Sequence, residues 1–212
     1  MAKGVQPPES RRPAWLVGGH PGVDFLNTVD ARGEPGQREH LRGYRELLVW
    51  MGRARLLSAL EQRLLRARAA ALPAEAGGVL SEARGLREAA RRIVAARTSG
   101  GAPLARDLAL LKRVIRSAYA ARVLEWNGQG FAARWRDANA LRRPLFVVAL
   151  ELADLLEPAN LARVHICAGE GCDWAFLDRS PTQRRRWCHM SACGNRAKLR
   201  RFRARRAGRK RS

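Results

Sequence analysis

The segment CAGEGCDWAFLDRSPTQRRRWCHMSACGNR, from Cys167 to Arg196, decides the fold of the C-terminal part of the chain. It contains all four cysteines of the protein, spaced C-x4-C-x15-C-x4-C. Two close pairs about fifteen to twenty residues apart are typical of tetrahedral zinc sites, because each pair supplies two thiolates from one turn. Four thiolates leave no open coordination position, so the pattern predicts a structural zinc ion. The predicted ligands are Cys167, Cys172, Cys188 and Cys193.

Two other interpretations of the cysteines stay open from the residues alone. Free cysteines often serve as small buried hydrophobic residues, and a pair could form a disulfide in an oxidising compartment. The paired spacing favours the metal, and a segment of about 45 residues is too small to be stable on its apolar core alone. His165 and His189 lie close by in sequence. Because a zinc site closes at four ligands, we expect them at the surface or beside the ligands.

The residues around the cysteines predict a β-hairpin followed by a helix. The hairpin turn carries the first cysteine pair, and the helix is expected to begin near Ser191. Leu199 and Phe202 lie three residues apart, and therefore on one face of that helix. We expect this face to be buried against the hairpin's aromatic residues, Trp174 and Phe176. The metal would then hold the hairpin against the helix.

The positive charge of the chain is concentrated at the same end. The 212 residues carry 41 Lys and Arg against 19 Asp and Glu, a net charge of +22. Residues 179–212 contain 14 of the basic residues and no acidic one. Clustered cations of this kind attract the phosphates of nucleic acids, and arginine binds phosphate with two parallel donors. The predicted nucleic-acid contacts are Arg184, Arg185, Arg186, Arg196, Lys198, Arg200, Arg201, Arg203 and Arg205.

The first 160 residues predict a mainly helical domain with one small hairpin. Apolar residues recur at helical spacing, and Ser58 with Glu61 matches a capping box. Pro73 and the Gly77-Gly78 pair predict an interruption, and Pro103 is expected in the first turn of the next helix. Strand-like segments on either side of Asn127-Gly128 predict the hairpin. We therefore expect a helical domain over 1–160, a four-cysteine finger over 161–207 and a solvated basic tail over 208–212.

Three polar residues near the start of the chain, His20, Asp24 and Asn27, lie close together in sequence. They could line a pocket for a small molecule, but helix capping and buried hydrogen bonding is the interpretation we favour. A small-molecule effector or a homodimer contact at the helical domain stays an open expectation.

Several function classes are disfavoured by the composition. No run approaches 18 consecutive apolar residues, which excludes a membrane-spanning helix. The N-terminal MAKGVQPPESRR has no apolar stretch of signal-peptide length, so a cytoplasmic, reducing location is expected. No phosphate-binding glycine loop, Ser/His/Asp set or paired-carboxylate motif is present, so we do not expect an enzyme. An enzyme or small-molecule binder in the helical domain is the least favoured hypothesis.

The motif Cys193-Gly194-Asn195-Arg196, preceded by Trp187-Cys188 and by CAGEGCDWAFLD, resembles the CGNR zinc-finger family. The resemblance implies that the four cysteines bind zinc. Gly194 would permit close backbone approach beside the metal, and Asn195 would hydrogen-bond a sulfur or cap backbone groups. Arg196 would offset the net charge of −2 that four thiolates and Zn²⁺ carry, or contact a phosphate.

The upstream chain resembles the ABATE domain, a family of proposed stress-induced transcription regulators, through DFLNTV at Asp24–Val29. Together the two resemblances cover nearly the whole chain and imply a bacterial DNA-binding transcriptional regulator. An RNA- or ribosome-binding accessory protein is the alternative, because short arginine-rich helices also bind structured RNA. DNA is the favoured partner, because Phe202 is expected to be buried and no other aromatic residue is placed to stack on unpaired bases.

Overall fold

The computed structural model describes residues 16–30 and 37–209, which are mainly helical and form two compact units. The finger unit consists of residues 16–30, 37–38 and 163–209, and the helical unit is Glu39–Ala162. This division differs from the predicted boundary at residue 160, because the N-terminal segment belongs with the zinc finger. Residues 210–212 of the predicted tail, and the residues before 16, lie outside the described part of the chain.

The elements of the described residues are, in chain order, α1 (Pro21–Leu26), β1 (Val29–Asp30), β2 (Arg38–Glu39), α2 (Tyr44–Arg53), α3 (Ala59–Ala71), α4 (Pro73–Thr98), α5 (Ala105–Ala120), β3 (Arg122–Trp126), β4 (Phe131–Trp135), α6 (Arg143–Leu155), α7 (Pro158–Leu161), β5 (Val164–Ile166), β6 (Ala175–Leu177), a π-helical turn (Met190–Gly194) and α8 (Asn195–Arg209). The predicted mainly helical fold with small hairpins is confirmed. No helix among these is long and apolar enough to cross a bilayer.

The helical unit is built on a conventional apolar core. Helices α2, α4, α5 and α6 contribute its buried side chains, and α3 begins at the predicted capping box. The Ser58 hydroxyl accepts from the backbone N–H of Glu61 at 3.3 Å, and the Glu61 carboxylate accepts from the N–H of Ser58 at 2.7 Å. The completely buried side chains of the helical unit include Leu47, Leu48, Leu86, Val94, Leu145, Val148 and Leu152.

Two expectations about helix boundaries are wrong. Helix α4 runs without a break through Gly77 and Gly78, which face open space. Each glycine costs about 1 kcal/mol relative to alanine, but the buried face formed by residues such as Val79 and Leu80 outweighs that loss. Helix α5 begins at Ala105 with Leu104 as its N-cap, so Pro103 lies just before the helix and not in its first turn.

The predicted hairpin in the helical unit is confirmed. Strands β3 and β4 are antiparallel, with Arg122 opposite Trp135 and Trp126 opposite Phe131. In the turn, the Asn127 side chain accepts hydrogen bonds from the backbone N–H groups of Gln129 and Gly130. Gly128 has φ +92°, a conformation that a glycine adopts without strain.

Candidate metal centre

The finger hairpin carries the first cysteine pair in the loop that connects its two strands. Strands β5 and β6 pair antiparallel, with Val164 opposite Leu177 and Ile166 opposite Ala175, as the sequence predicts. Immediately after β5, the N–H of Cys167 donates to the carbonyl of Trp174 at 2.8 Å, which continues the pairing by one residue. The first pair therefore lies in the loop that closes the hairpin, directly beyond the last paired residues.

The four cysteines form one cluster. Their Sγ atoms all lie within 4.8 Å of one another. The Cys172 and Cys188 sulfurs are 3.7 Å apart, as are those of Cys188 and Cys193. A tetrahedron of sulfurs about 2.3 Å from a zinc ion has edges of about 3.8 Å. The donor set and its spacing fit a structural zinc ion, and the cysteines are free thiols rather than disulfides.

Backbone N–H groups point at the sulfur of Cys167. The N–H of Gly169 and the N–H of Cys188 each donate to it at 3.3 Å. Such donors stabilise a thiolate, and they also fix the second cysteine pair against the first. The carbonyl of Arg186 accepts from the N–H of Ala168 at 3.0 Å, which joins the same two segments through the backbone.

The four cysteine thiols cannot all lose their protons easily in the absence of a cation, because they lie so close together. Hydrogen bonds from the thiols of Cys172 and Cys188, with smaller contributions from backbone N–H groups, lower the pKa of Cys167. The hydrogen bond to Cys167 in turn raises the pKa of Cys172 to about 12 and raises the pKa of Cys188 as well. Thiolates so close together repel one another, whereas a divalent ion favours the thiolate at every ligand. Zinc binding therefore releases protons and weakens at low pH.

Two glycines allow close packing in and around the cysteine cluster. A Cβ at Gly194 would lie 2.6 Å from Sδ of Met190 and 3.3 Å from the ring of Trp187, so the close approach at this residue is to these two side chains. A Cβ at Gly169 would lie 3.0 Å from Sγ of Cys193. Gly169 lies between the first two cysteines, and its contact with Cys193 joins residues far apart in the chain, so no local pattern indicates it.

The last two residues of the CGNR motif have distinct contacts. A terminal nitrogen of Arg196 donates to Sγ of Cys193 at 3.0 Å, and this hydrogen bond raises the pKa of the guanidinium. Arg196 thus offsets the negative charge of the site, one of the two roles predicted for it. The Asn195 side chain donates to the carbonyl of Ser191 at 3.2 Å. Of the two roles considered for Asn195, the structure shows the cap on backbone and not the bond to sulfur.

Asp178 and Arg185 stabilise the segment that connects β6 to the second cysteine pair. Burial acts to raise the pKa of the completely buried Asp178, but hydrogen bonds from Ser180 and from the Arg185 N–H outweigh it and lower that pKa. The Arg185 guanidinium donates to the carbonyls of Trp187, at 2.8 Å, and of Cys188, and it lies 4.6 Å from the ring centre of Phe176. Arg185 therefore stabilises the backbone around Cys188 against the ring of Phe176. Its position in an Arg-Arg-Arg run does not indicate this role.

The N-terminal segment completes the finger unit. The Asn27 side chain donates to the carbonyl of Ala175 and accepts from its N–H, both at 2.9 Å, as a neighbouring strand would. The N–H of Leu177 donates to the carbonyl of Gly18 at 2.7 Å, and the indole of Trp174 donates to Asp30 at 3.1 Å. These contacts hold the strand that follows the first cysteine pair.

The other two polar residues of this segment act within it. The His20 ring accepts from the N–H of Gly22 at 3.0 Å and caps α1, and the Asp24 carboxylate accepts from the N–H of Gly18 at 2.7 Å. Capping and buried hydrogen bonding, the favoured interpretation of His20, Asp24 and Asn27, is confirmed. Their positions, about 150 residues before the finger, gave no indication that they belong to it.

One prediction about α8 is wrong. Leu199 and Phe202 do not cover the hairpin: they are 55% and 58% exposed. The inward side of the helix carries Ala197, which is 7% exposed, next to the buried Cys193. The π-helical turn before α8 rotates the helix, and the cysteines, Trp174 and Trp187 fill the space around Phe176 instead.

The structure separates the predicted nucleic-acid contacts into two groups. Arg185, Arg196 and Arg200 have intramolecular hydrogen-bond or ion-pair partners, the last at 3.2 Å from the carboxylate of Glu170. The others with described side chains are exposed and have no acidic partner among the described residues. Arg206, which is not among the predicted contacts, is also exposed. The side chain of Arg205 lies outside the described residues. The exposed cations are Arg184, Arg186, Lys198, Arg201, Arg203 and Arg206.

Two comparisons with protein families agree with this architecture. Residues 19–158 match the ABATE family, which carries the description "Putative stress-induced transcription regulator". This match spans more than half of the chain. The chain belongs to the ABATE family. Residues 163–206 match the CGNR zinc finger, so the four cysteines are those of a known finger type. A search of curated proteins finds no match. The resemblances drawn from Asp24–Val29 and from the CGNR motif are confirmed.

Proposed function

We propose that this protein is a DNA-binding transcriptional regulator whose zinc finger presents α8 to duplex DNA. The observation that carries the proposal is the metal centre joined directly to a basic helix: Cys193 lies in the π-helical turn that leads straight into α8. The ABATE description as a regulator supports the same role. The protein acts in the cytoplasm, on the nucleoid, and without catalysing a reaction.

The charge on the finger suits a polyanion. Four exposed cations lie on α8 and two more, Arg184 and Arg186, lie shortly before the second cysteine pair in sequence, and residues 179–212 contain no acidic residue that would repel phosphate. If about six phosphates are neutralised, the logarithm of the affinity should fall with the logarithm of the salt concentration at a slope of about −5. The helical unit would then supply the regulatory part, through an effector or a second copy of the chain.

RNA is the second candidate partner, and the exposure of Phe202 favours it more than the sequence did. An exposed aromatic residue among arginines can stack on an unpaired base. Competition between duplex DNA, a structured RNA and heparin at matched salt separates the candidates. Preferred binding of duplex DNA supports the regulator, whereas preferred binding of RNA contradicts it. Equal displacement by heparin would show that only charge is recognised, and would also contradict it.

A charge-reversal variant tests whether α8 is the contact surface. Replacing Lys198, Arg201 and Arg203 by glutamate should reduce the salt slope in magnitude by about 3, since each phosphate contact contributes about 0.9. Zinc content should not change, because none of the three contacts the cysteines.

The matched control reverses the same number and kind of charges on the helical unit, at the exposed Arg63, Lys112 and Arg116. This control should leave the slope within about one contact of the unaltered protein. If the two triple variants lose affinity equally, the finger is not the contact surface.

A further inference from the structure

The outward face of α8, formed by Leu199, Phe202 and Arg206, combines exposed apolar side chains with positive charge. At 3.6 residues per turn, Leu199 and Phe202 lie roughly opposite the buried Ala197. The Arg206 guanidinium lies 5.6 Å from the ring centre of Phe202. Two large apolar side chains thus stand next to each other on the most basic helix of the chain, pointing away from the metal centre.

Cations border this face on both sides. By helical geometry Lys198 lies to one side of the Leu199–Phe202 pair and Arg203 to the other. Both are exposed, and neither has an acidic partner in the described part of the chain. The surface is therefore apolar along its middle and positive along its two edges.

This pattern matches the major groove of B-form DNA. The groove is about 12 Å wide and admits an α-helix, and phosphates line both of its edges. The groove floor carries the edges of the bases, and the 5-methyl group of thymine is the apolar group that it offers. A protein partner for the same face would need acidic residues on both sides of an apolar strip, whereas DNA supplies the negative charge along its whole length.

We infer that the outward face of α8 enters the major groove of duplex DNA, with Leu199 and Phe202 against thymine methyl groups and Lys198 and Arg203 on the flanking phosphates. This inference rests on the proposed function and adds the chemical group that is recognised. Structured RNA is a poor match, because the major groove of its A-form helix is deep and narrow and uracil has no methyl group.

The test uses the whole zinc-loaded protein and a pair of duplexes. Both are alternating A·T sequences of about 20 base pairs, two turns of the double helix. One contains thymine, and the other contains deoxyuridine at every thymine position. The unaltered protein should bind the thymine duplex more tightly by about fourfold or more, the factor that corresponds to burial of one methyl group.

Two double variants complete the design. In Leu199→Ala/Phe202→Ala, affinity for the thymine duplex should fall to that for the deoxyuridine duplex, with the salt slope and zinc content unchanged. The matched control, Leu60→Ala/Leu64→Ala, removes two exposed leucines from α3 of the helical unit. It should keep the full preference for thymine.

Failure of the inference can be told apart from failure of the proposed function. If the unaltered protein binds both duplexes equally, with the steep salt slope retained, the inference is wrong and the proposed function stands. The same holds if the Leu199/Phe202 double variant keeps the thymine preference, which would assign this face to another partner such as a protein. If neither duplex binds, the proposed function itself is wrong.

Discussion

The helical unit and the finger unit bury different kinds of groups. In the helical unit, aliphatic side chains from α2, α4, α5 and α6 fill the interior. In the finger unit, apolar side chains of the N-terminal segment such as Val23 and Leu26 are also buried, but the residues next to the metal site are Phe176, the cysteines and two half-buried tryptophans. The apolar groups around Phe176 are too few to offset the conformational entropy of ordering the residues near the metal site, so the zinc site and long-range hydrogen bonds supply the difference there. The helical unit should therefore be sensitive to lost volume, and the finger unit to lost ligands.

The largest effect is expected from removal of one zinc ligand. Cys193→Ser should abolish zinc binding and unfold the finger unit, because structural zinc contributes about 10 kcal/mol or more to folding. Amide hydrogen exchange should show lost protection in β5, β6 and α8 and unchanged protection in α4 and α6. The control Ala192→Ser places a hydroxyl on the neighbouring exposed residue and should keep the metal. Zinc retained at one ion per chain in the Cys193 variant would contradict the assignment.

The opposite result is expected for a core residue of the helical unit. Leu145 is completely buried, and Leu145→Ala should lower the free energy of unfolding of this unit by about 2–5 kcal/mol through lost burial and a cavity. Zinc content should stay unchanged. Leu60→Ala, at a side chain that is 55% exposed, should change the free energy of unfolding of the helical unit by less than about 0.5 kcal/mol. Equal destabilisation by the two variants, measured by denaturant titration, would contradict the dependence of the helical unit on its buried side chains.

Asn27 tests whether the N-terminal segment is part of the finger. Asn27→Ala would leave the N–H and carbonyl of the completely buried Ala175 without their partner. We expect the finger unit to lose about 2 kcal/mol or more, and zinc affinity, measured by competition with a chelator, to fall with it. Asn160→Ala removes a side-chain amide from the surface of the helical unit and should leave zinc affinity unchanged. If both variants bind zinc like the unaltered protein, Asn27 has no role in the finger.

The smallest effect is expected at the capping box of α3. Ser58→Ala should lower the stability of the helical unit by about 1 kcal/mol, because the N–H of Glu61 loses its acceptor. Ser117→Ala, in the interior of α5, removes a hydroxyl that donates to a carbonyl of the preceding turn and should have a smaller effect. Thermal unfolding followed by circular dichroism compares the two. A larger loss for Ser117→Ala would show that the cap contributes little.

Local patterns in the sequence predicted local structure well. The cysteine spacing predicted the ligands, the Ser58–Glu61 pair the helix start, and the Asn127-Gly128 turn the hairpin. Each depends on residues close together in the chain or on side-chain chemistry that few folds use otherwise.

Long-range packing could not be predicted in the same way. The bond between Asn27 and Ala175 joins residues 148 positions apart, and no periodicity indicates such a pair. The spacing of Leu199 and Phe202 correctly placed them on one face, but it did not indicate which side of α8 faces the hairpin. That orientation depends on the π-helical turn at Met190–Gly194 and on the small Ala197. Gly77 and Gly78 predict a break in α4 because their low helix propensity is a local signal, whereas the burial that keeps the helix continuous depends on residues elsewhere in the fold.

X-ray absorption at the zinc edge of the purified protein tests the central claim most directly, since it reports the atoms that surround the metal. The four clustered cysteines predict one zinc ion per chain with four sulfur neighbours at about 2.3 Å and no nitrogen or oxygen in the first shell. A spectrum that requires nitrogen or oxygen ligands, or a preparation that contains no zinc, would contradict a finger whose basic helix is held by the metal.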